Sequence, residues 1–225
     1  MTPRQRLVLA CAAAWVSAWV VACSSTPPPP DWQMNAKSAL DRGVAAYLAG
    51  NTRLEALEFA RARADLASTG RTDLLARAEL TRCAARVASL VFDDCPGFAE
   101  LAQDAPSAER AYANYLAGTG SAQDAALLPA AQRDAAAGNA SADTLSRMPD
   151  PLARLVAAGV MLRSGRAQPA VFSVAADTAS AEGWSRPLLA WLSVQAQRAD
   201  AAGESAEAER LRRRIGRVLN RAAQP

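Results

Sequence analysis

Few side chains in this sequence of 225 residues are of the types that carry out acid–base or nucleophilic chemistry near neutral pH. Histidine is absent, and Lys37 is the single lysine. Because histidine is both the usual general base near neutral pH and the commonest metal ligand, catalytic and metal sites lose their main candidate. Asp93-Asp94 is the only adjacent pair of carboxylates, and a polar turn accounts for it without a catalytic or calcium-binding role.

The motifs that mark common enzyme families are also missing. The sequence has no Gly-x-Ser-x-Gly elbow, no Walker phosphate-binding loop and no GxGxxG dinucleotide motif. The glutamate motif of envelope lytic transglycosylases is not recognisable either. We therefore expect a protein that is not an enzyme and that needs no cofactor and no metal.

Composition predicts helices as the elements that position the remaining polar groups. Hydrophobic residues make up 51% of the chain but aromatic residues only 5%, and about a quarter of the residues are alanine, the strongest helix former. A sheet sandwich needs more β-branched and aromatic residues, and no segment shows the period-two alternation typical of a strand. The sequence therefore predicts an all-α fold.

Apolar residues recur at helical spacing from Trp32 onward, and glycines, prolines and capping residues mark the predicted helix ends. The first predicted helix ends at Gly50-Asn51, and the apolar face of the third includes Cys83 and extends to Val91. The other predicted elements are a helix over 54–68, a turn over 93–97, a helix from Ser121 kinked at Pro129, a loop over 138–142, and helices over 151–165, 167–179, 187–202 and from Ser205 onward.

A four-residue pattern occurs twice, because Tyr-Leu-Ala-Gly at 47–50 returns at 115–118, an offset of 68 residues, or twice the 34-residue tetratricopeptide period. The first hairpin resembles a tetratricopeptide repeat, although its tyrosine comes one residue late. Four residues stand at that family's small, turn, aromatic and small positions: Gly43, Gly50, Phe59 and Ala62. The resemblance implies stacked antiparallel helical hairpins of repeat type, and a single irregular helical bundle is the alternative.

The amino-terminal segment has the pattern of an export signal. Arg4 and Arg6 precede a run of 16 uncharged residues, 7–22. This run is too short for a membrane-spanning helix, which needs about 20 apolar residues, and has the length of a signal-peptide core. The run ends in Val20-Val21-Ala22-Cys23, which resembles the lipobox of bacterial lipoproteins. That resemblance implies cleavage after Ala22, thioether lipidation of Cys23 and acylation of the new amino terminus by a fatty acid such as palmitate. An ordinary signal peptide or an uncleaved anchor is the alternative.

The same resemblance implies the compartment and the domain organisation. Ser24 follows the cysteine, where an aspartate tends to retain lipoproteins in the inner membrane, so we expect an outer-membrane lipoprotein on the periplasmic side. We expect three parts: a signal peptide over 1–22, the lipidated cysteine with a proline-rich tether over 23–31, and a helical periplasmic domain over 32–225.

Loss of Cys11 and lipidation of Cys23 would leave Cys83 and Cys95. Because an exported protein folds in an oxidising compartment, we predict a disulfide between these two, which would stabilise the fold by roughly 3 kcal/mol. A metal site is the alternative, but neither a histidine nor a third cysteine supports it.

Charge is informative mainly in the last helix. Cleavage would remove Arg4 and Arg6 and leave 23 basic and 22 acidic residues, which argues against binding to nucleic acid. The helical spacing of five apolar residues predicts that they form one stripe of the last helix, which packs inward: Leu211, Ile215, Val218, Leu219 and Ala222. Five arginines lie away from that stripe: Arg210, Arg213, Arg214, Arg217 and Arg221. They form either a solvated face or a contact surface for anionic lipid headgroups or an acidic partner.

The function we expect is that of a membrane-anchored envelope lipoprotein that acts as a non-enzymatic protein-binding adaptor or assembly factor, since stacked hairpins expose extended grooves. A structural or stress-related envelope lipoprotein and, less favoured, a cell-wall-processing enzyme are the alternatives. The partners we expect are the membrane, through the lipid anchor, and an envelope protein that no motif identifies.

Overall fold

The computed structural model describes residues 28–222, and every regular element in that range is helical. The α-helices are α1 Asp31–Leu48, α2 Thr52–Ala67, α3 Thr72–Ala88, α4 Pro96–Ala99, α5 Ser107–Leu116, α6 Ala142–Arg147, α7 Pro151–Arg163, α8 Pro169–Ala181, α9 Ser185–Ala201 and α10 Ser205–Ala222. The predicted all-α class is confirmed. The chain from Asp31 onward is one compact unit, and none of the described helices is both long and apolar enough to cross a membrane.

Glycine and capping residues end one helix and begin the next in the first hairpin. Gly50 adopts a positive φ of 89° and donates its amide to the Tyr47 carbonyl, while the Asn51 amide reaches the Ala46 carbonyl. The Asn51 side chain then accepts a hydrogen bond from the amide of Leu54 at 3.0 Å and caps α2. These are the bonds of a Schellman ending followed by an N-cap, and they fix the tight turn between α1 and α2.

The second copy of the Tyr-Leu-Ala-Gly pattern has the same local structure. Gly118 has a φ of 78° and donates to the Tyr115 carbonyl, and Thr119 donates to Asn114. In both copies the tyrosine and the leucine are buried. The pattern therefore corresponds to a helix end that buries two large side chains and then needs a left-handed residue.

Helix α3 lies at the centre of the unit, where it contacts α1, α2, α5 and α7. Its approach to α7 is close because Gly159 faces it, and a Cβ at that position would lie 2.4 Å from the Val87 carbonyl oxygen. The indole Nε1 of the fully buried Trp191, on α9, donates to the Ala88 carbonyl at the end of α3 at 3.1 Å. Contacts between chain neighbours, such as α1 with α2 and α8 with α9, agree with stacked hairpins, and the α3–α7 and α1–α9 contacts agree equally with a bundle.

Two of the predicted elements are wrong. Helix α3 stops at Ala88, and Leu90 adopts a positive φ of 60°, so Leu90 and Val91 do not continue its apolar face. No regular helix follows Ser121, whose hydroxyl bonds the Asp124 side chain instead of capping a helix. That segment forms short turns of 3-10 or π helix, at Ala122–Leu127, Ala130–Gln132 and Ala135–Asn139. Pro129 and Gly138 disfavour a regular helix through this segment, because proline breaks the helical hydrogen bonds and glycine is a poor helix former.

Candidate functional site

A cleft of about 510 Å³ opens between α3, α5, α7 and the turns over 122–132. We call it the α3–α7 cleft. Its floor is apolar and buried, and consists of Leu80, Ala84, Leu128 and Val156. Leu127 stands in its lining with 44% of its surface exposed. The volume lies within the range of about 300–1,000 Å³ that is usual for ligand sites.

Charged groups line the cleft but are already engaged. The buried Glu109 carboxylate accepts from the Arg77 Nη2 at 2.8 Å, across the α3–α5 interface. Asp150 accepts from the amides of Leu152 and Ala153 at 2.9 and 3.3 Å and so caps the start of α7. These carboxylates are held in structural contacts and give the cleft a polar rim.

Tyr112 supplies a hydrogen-bond donor to the same lining. Burial, together with the negative charge of Asp150, raises the pKa of the Tyr112 hydroxyl well above its ordinary value. The hydroxyl therefore stays protonated at any physiological pH and can donate to a bound group. It makes no hydrogen bond with a residue in the described part of the chain, so an incoming acceptor would meet no competitor there.

A buried amide fixes the cleft floor. Gln132 is 2% exposed, accepts from the Tyr115 hydroxyl at 2.7 Å, and donates to the Ala153 carbonyl at 3.0 Å. This chain of bonds joins α5, the turn at Ala130–Gln132 and α7. Because both ends of the amide are satisfied, its side chain cannot turn away without leaving buried polar groups unpaired. These bonds tie the turn at Ala130–Gln132 to the helices on both of its sides.

The chemistry that this lining favours is the binding of an apolar group with a polar edge. Thr81 and Tyr112 are its only hydroxyl residues, and Glu109 and Asp150 are occupied by their structural partners. The expectation that the protein is not an enzyme stays a prediction. Sequence reasoning missed the cleft because its walls come from separate stretches of the chain, which local periodicity and capping signals do not bring together.

The two cysteines predicted to pair do so. Cys83 on α3 and Cys95, just before α4, form a disulfide with their Cα atoms 5.7 Å apart. Cys83, Asp93 and Cys95 are also a group whose ligand atoms lie within 4.8 Å of one another. In this state both sulfurs are used by the disulfide, and Asp93 accepts a hydrogen bond from Arg86. The predicted absence of a metal remains a prediction.

The last helix is arranged largely as its sequence predicts. Leu211 is buried, and Ile215 and Val218 are partly buried against the main core. The prediction for Leu219 is wrong, because this side chain is 50% exposed. Helix α10 packs chiefly on α9, so only a narrow stripe of it can be covered. The side chains of Arg221 and Ala222 lie outside the described residues.

The predicted arginine face is partly neutralised within the helix. Arg210 pairs with Glu207 at 2.5 Å, and Arg213 approaches Glu209 at 3.8 Å. Arg214 and Arg217 make no ion pair with any described residue. Among the four of these arginines whose side chains are described, the structure therefore separates two paired from two unpaired ones.

The predictions on the amino-terminal segment lie outside the described residues. They concern the signal peptide over 1–22, the lipidation of Cys23 and the start of the tether, and they stay predictions. No protein-family model, no curated protein and no solved structure matches this chain.

Proposed function

We propose that this protein is a membrane-anchored envelope lipoprotein whose helical domain acts as a non-enzymatic adaptor or assembly factor, and that the α3–α7 cleft receives a segment of its protein partner. The observation that carries the proposal is the cleft itself, with its apolar lining, the Gln132 amide that joins its walls and its polar rim. The resemblance of residues 20–23 to a lipobox supports the anchor, and Ser24 supports the outer membrane, on its periplasmic side.

A short peptide segment suits the cleft better than a charged metabolite. The lining offers the exposed Leu127 and the partly buried Leu152 to one or two apolar side chains, which is how peptide-binding grooves hold their anchors. The free Tyr112 hydroxyl is available to a backbone carbonyl of the same segment. No unpaired cation among the described lining residues could hold a phosphate, because Arg77 is bonded to Glu109.

Site-specific photo-crosslinking in native membranes tests the proposal. A photoreactive amino acid replaces Leu127 in the cleft lining or, as the control, Leu57 on α2, which is 49% exposed and lies outside the lining. We expect one defined crosslinked protein from position 127 and none from position 57.

A second pair of variants separates binding in the cleft from proximity. Leu127→Asp introduces a charge at the apolar lining and should abolish partner binding, whereas Leu57→Asp should leave it unchanged. Equal crosslinking from both positions would contradict the cleft as the site, and an absence of crosslinks from either would favour the structural alternative.

A further inference from the structure

The positive charge of this chain is concentrated at its carboxyl end. The 16 residues from Arg210 to Pro225 hold six of the 25 basic residues and none of the 22 acidic ones. Residues 24–209 hold 17 basic and 22 acidic residues and are therefore net negative. Such a separation of charge gives the molecule a positive and a negative end, which is typical of proteins that bind a charged surface in one orientation.

Helical geometry turns this segment into a stripe. Arg210, Arg213, Arg214, Arg217 and Arg221 follow the spacing i, i+3, i+4, i+7 and i+11, which places them on one side of α10. The other side faces α9, where Ala208 and Leu211 are buried. The stripe therefore points away from the core of the unit.

The acidic residues of the helix neutralise only the beginning of this stripe. Glu207 pairs with Arg210 and Glu209 approaches Arg213, but no acid follows Glu209 in the sequence. Arg217 is exposed and Arg214 is half-buried, and within the described part of the chain neither has an acidic partner. Leu219, an apolar side chain that is 50% exposed, lies on the same end of the helix.

We infer that the carboxyl-terminal half of α10, through Arg214 and Arg217, contacts the headgroups of anionic phospholipids on a membrane surface. Arginines without an acidic partner on the outward side of a helix are the cations that interfacial helices place at anionic headgroups. A nucleic acid fits less well, because the net negative body would repel its phosphates. The same repulsion keeps the body away from an anionic membrane, so the charge division orients the domain with α10 toward the lipid.

Vesicle co-sedimentation tests the inference without involving the lipid anchor. Residues 31–225 are suitable, because the hydrophobic clusters found among the described residues all lie within this compact unit. The probes are vesicles of phosphatidylglycerol mixed with phosphatidylcholine and vesicles of phosphatidylcholine alone. We expect binding only to the anionic vesicles, weakening steeply as salt rises to about 0.15 M.

The charge variant is R214Q/R217Q, and the matched control is R53Q/R166Q. Arg53 and Arg166 are exposed and form no ion pair with a described residue, so the control removes the same net charge elsewhere. An arginine near an anionic surface is worth about fivefold in affinity, so R214Q/R217Q should bind about 25-fold more weakly, with its far-UV circular dichroism unchanged. The control should bind like the unmodified protein.

Three results would overturn the inference. One is equal binding to both kinds of vesicle, and another is an equal loss in the two variants. The third is tighter binding to a polyglutamate peptide or a short DNA duplex than to the vesicles, which would assign the stripe to an acidic macromolecule. None of these results bears on the α3–α7 cleft, so this inference and the proposed adaptor function can fail independently.

Discussion

The helix interfaces of the amino-terminal region are built with buried charge, whereas those of the carboxyl-terminal region are built with small apolar side chains. Four buried glutamates lie on α2, α3 and α5 and pair with arginines, mostly on neighbouring helices: Glu55 with Arg82, Glu58 with Arg42, Glu79 with Arg63 and Glu109 with Arg77. Around α7, α8 and α9 the most buried residues are alanines, valines, leucines and Trp191.

The difference teaches how an alanine-rich chain specifies its packing. Alanine buries little area and fits against many surfaces, so it does little to fix which helix faces which. An ion pair across an interface penalises every arrangement that leaves a buried carboxylate alone, although its net contribution to stability is small. The apolar region instead depends on close backbone approach. The two regions should therefore fail differently, the first when a charge is removed and the second when volume is added.

The largest effect should come from adding volume between α3 and α7. Gly159→Val places a Cβ where the Val87 carbonyl oxygen already stands, so we expect a loss of about 3 kcal/mol in the free energy of unfolding, or failure to fold. Urea denaturation measures it. Gly216→Ala on α10 is the control, since a Cβ added there would meet no atom within 4 Å beyond its chain neighbours and the backbone of its own helix, and it should stabilise by up to about 1 kcal/mol. Similar stabilities for both variants would show that the close approach of α3 to α7 is not required.

Removing one member of a buried pair should have the next largest effect. Arg82→Met leaves the buried Glu55 carboxylate without the guanidinium that bonds it at 2.7 Å, and we expect a loss of about 2 kcal/mol. The double variant Glu55→Leu with Arg82→Met removes both charges and should recover most of that loss. A double variant less stable than Arg82→Met would mean that the pair itself, rather than the avoidance of a lone charge, holds α2 to α3.

The smallest and most specific effect concerns pH. The hydrogen bond from Arg42 lowers the pKa of Glu58 below the ordinary value of 4.5, although burial opposes it. Burial raises the pKa of Glu79 above 4.5, and the charges of Arg63 and Arg82 offset only part of this. The contribution of Glu58 is therefore present above its unfolded pKa and is lost as pH falls. That of Glu79 is present in acid and is lost as pH rises through its folded pKa.

Urea midpoints of Glu58→Gln and Glu79→Gln, measured against the unmodified protein between neutral pH and mild acid, test these opposite signs. As pH falls, the advantage of the unmodified protein over Glu58→Gln should shrink, and its advantage over Glu79→Gln should grow. The same trend in both variants would contradict the assignment for one of the two carboxylates.

Local signals were enough to predict most of the helices. The helix predicted from residue 151 is α7, whose start is fixed within one turn by the Asp150 cap and by Pro151. The helix predicted over 187–202 corresponds to α9, Ser185–Ala201. Segment 121–147 was predicted poorly, since its short turns follow from packing against α5 and α7 rather than from its own periodicity.

The cleft and the exposure of Leu219 depend on neighbours that are distant in sequence. Gln132 stands in an alanine-rich stretch with nothing nearby to indicate that its amide joins Tyr115 to Ala153. Leu219 has the spacing of an inner residue, but α10 covers only a narrow stripe on α9. Periodicity predicts which residues share a side of a helix, and it does not predict how much of that side will be covered.

The contacts that α9 makes with the ends of α1 and α3 have a consequence for the order of folding. Trp191 bonds the last turn of α3 across 103 residues, and Arg186 bonds the Tyr47 carbonyl at the end of α1 across 139 residues. During synthesis from the amino end, the Ala88 carbonyl lacks its indole donor and the Tyr47 carbonyl lacks its guanidinium donor until almost all of the chain is available. Loop closure over such spans is slow, and it links the first hairpin to the last third of the chain. The unit should therefore fold cooperatively as a whole, and a chain truncated before α9 would lack the contacts that complete its first helices.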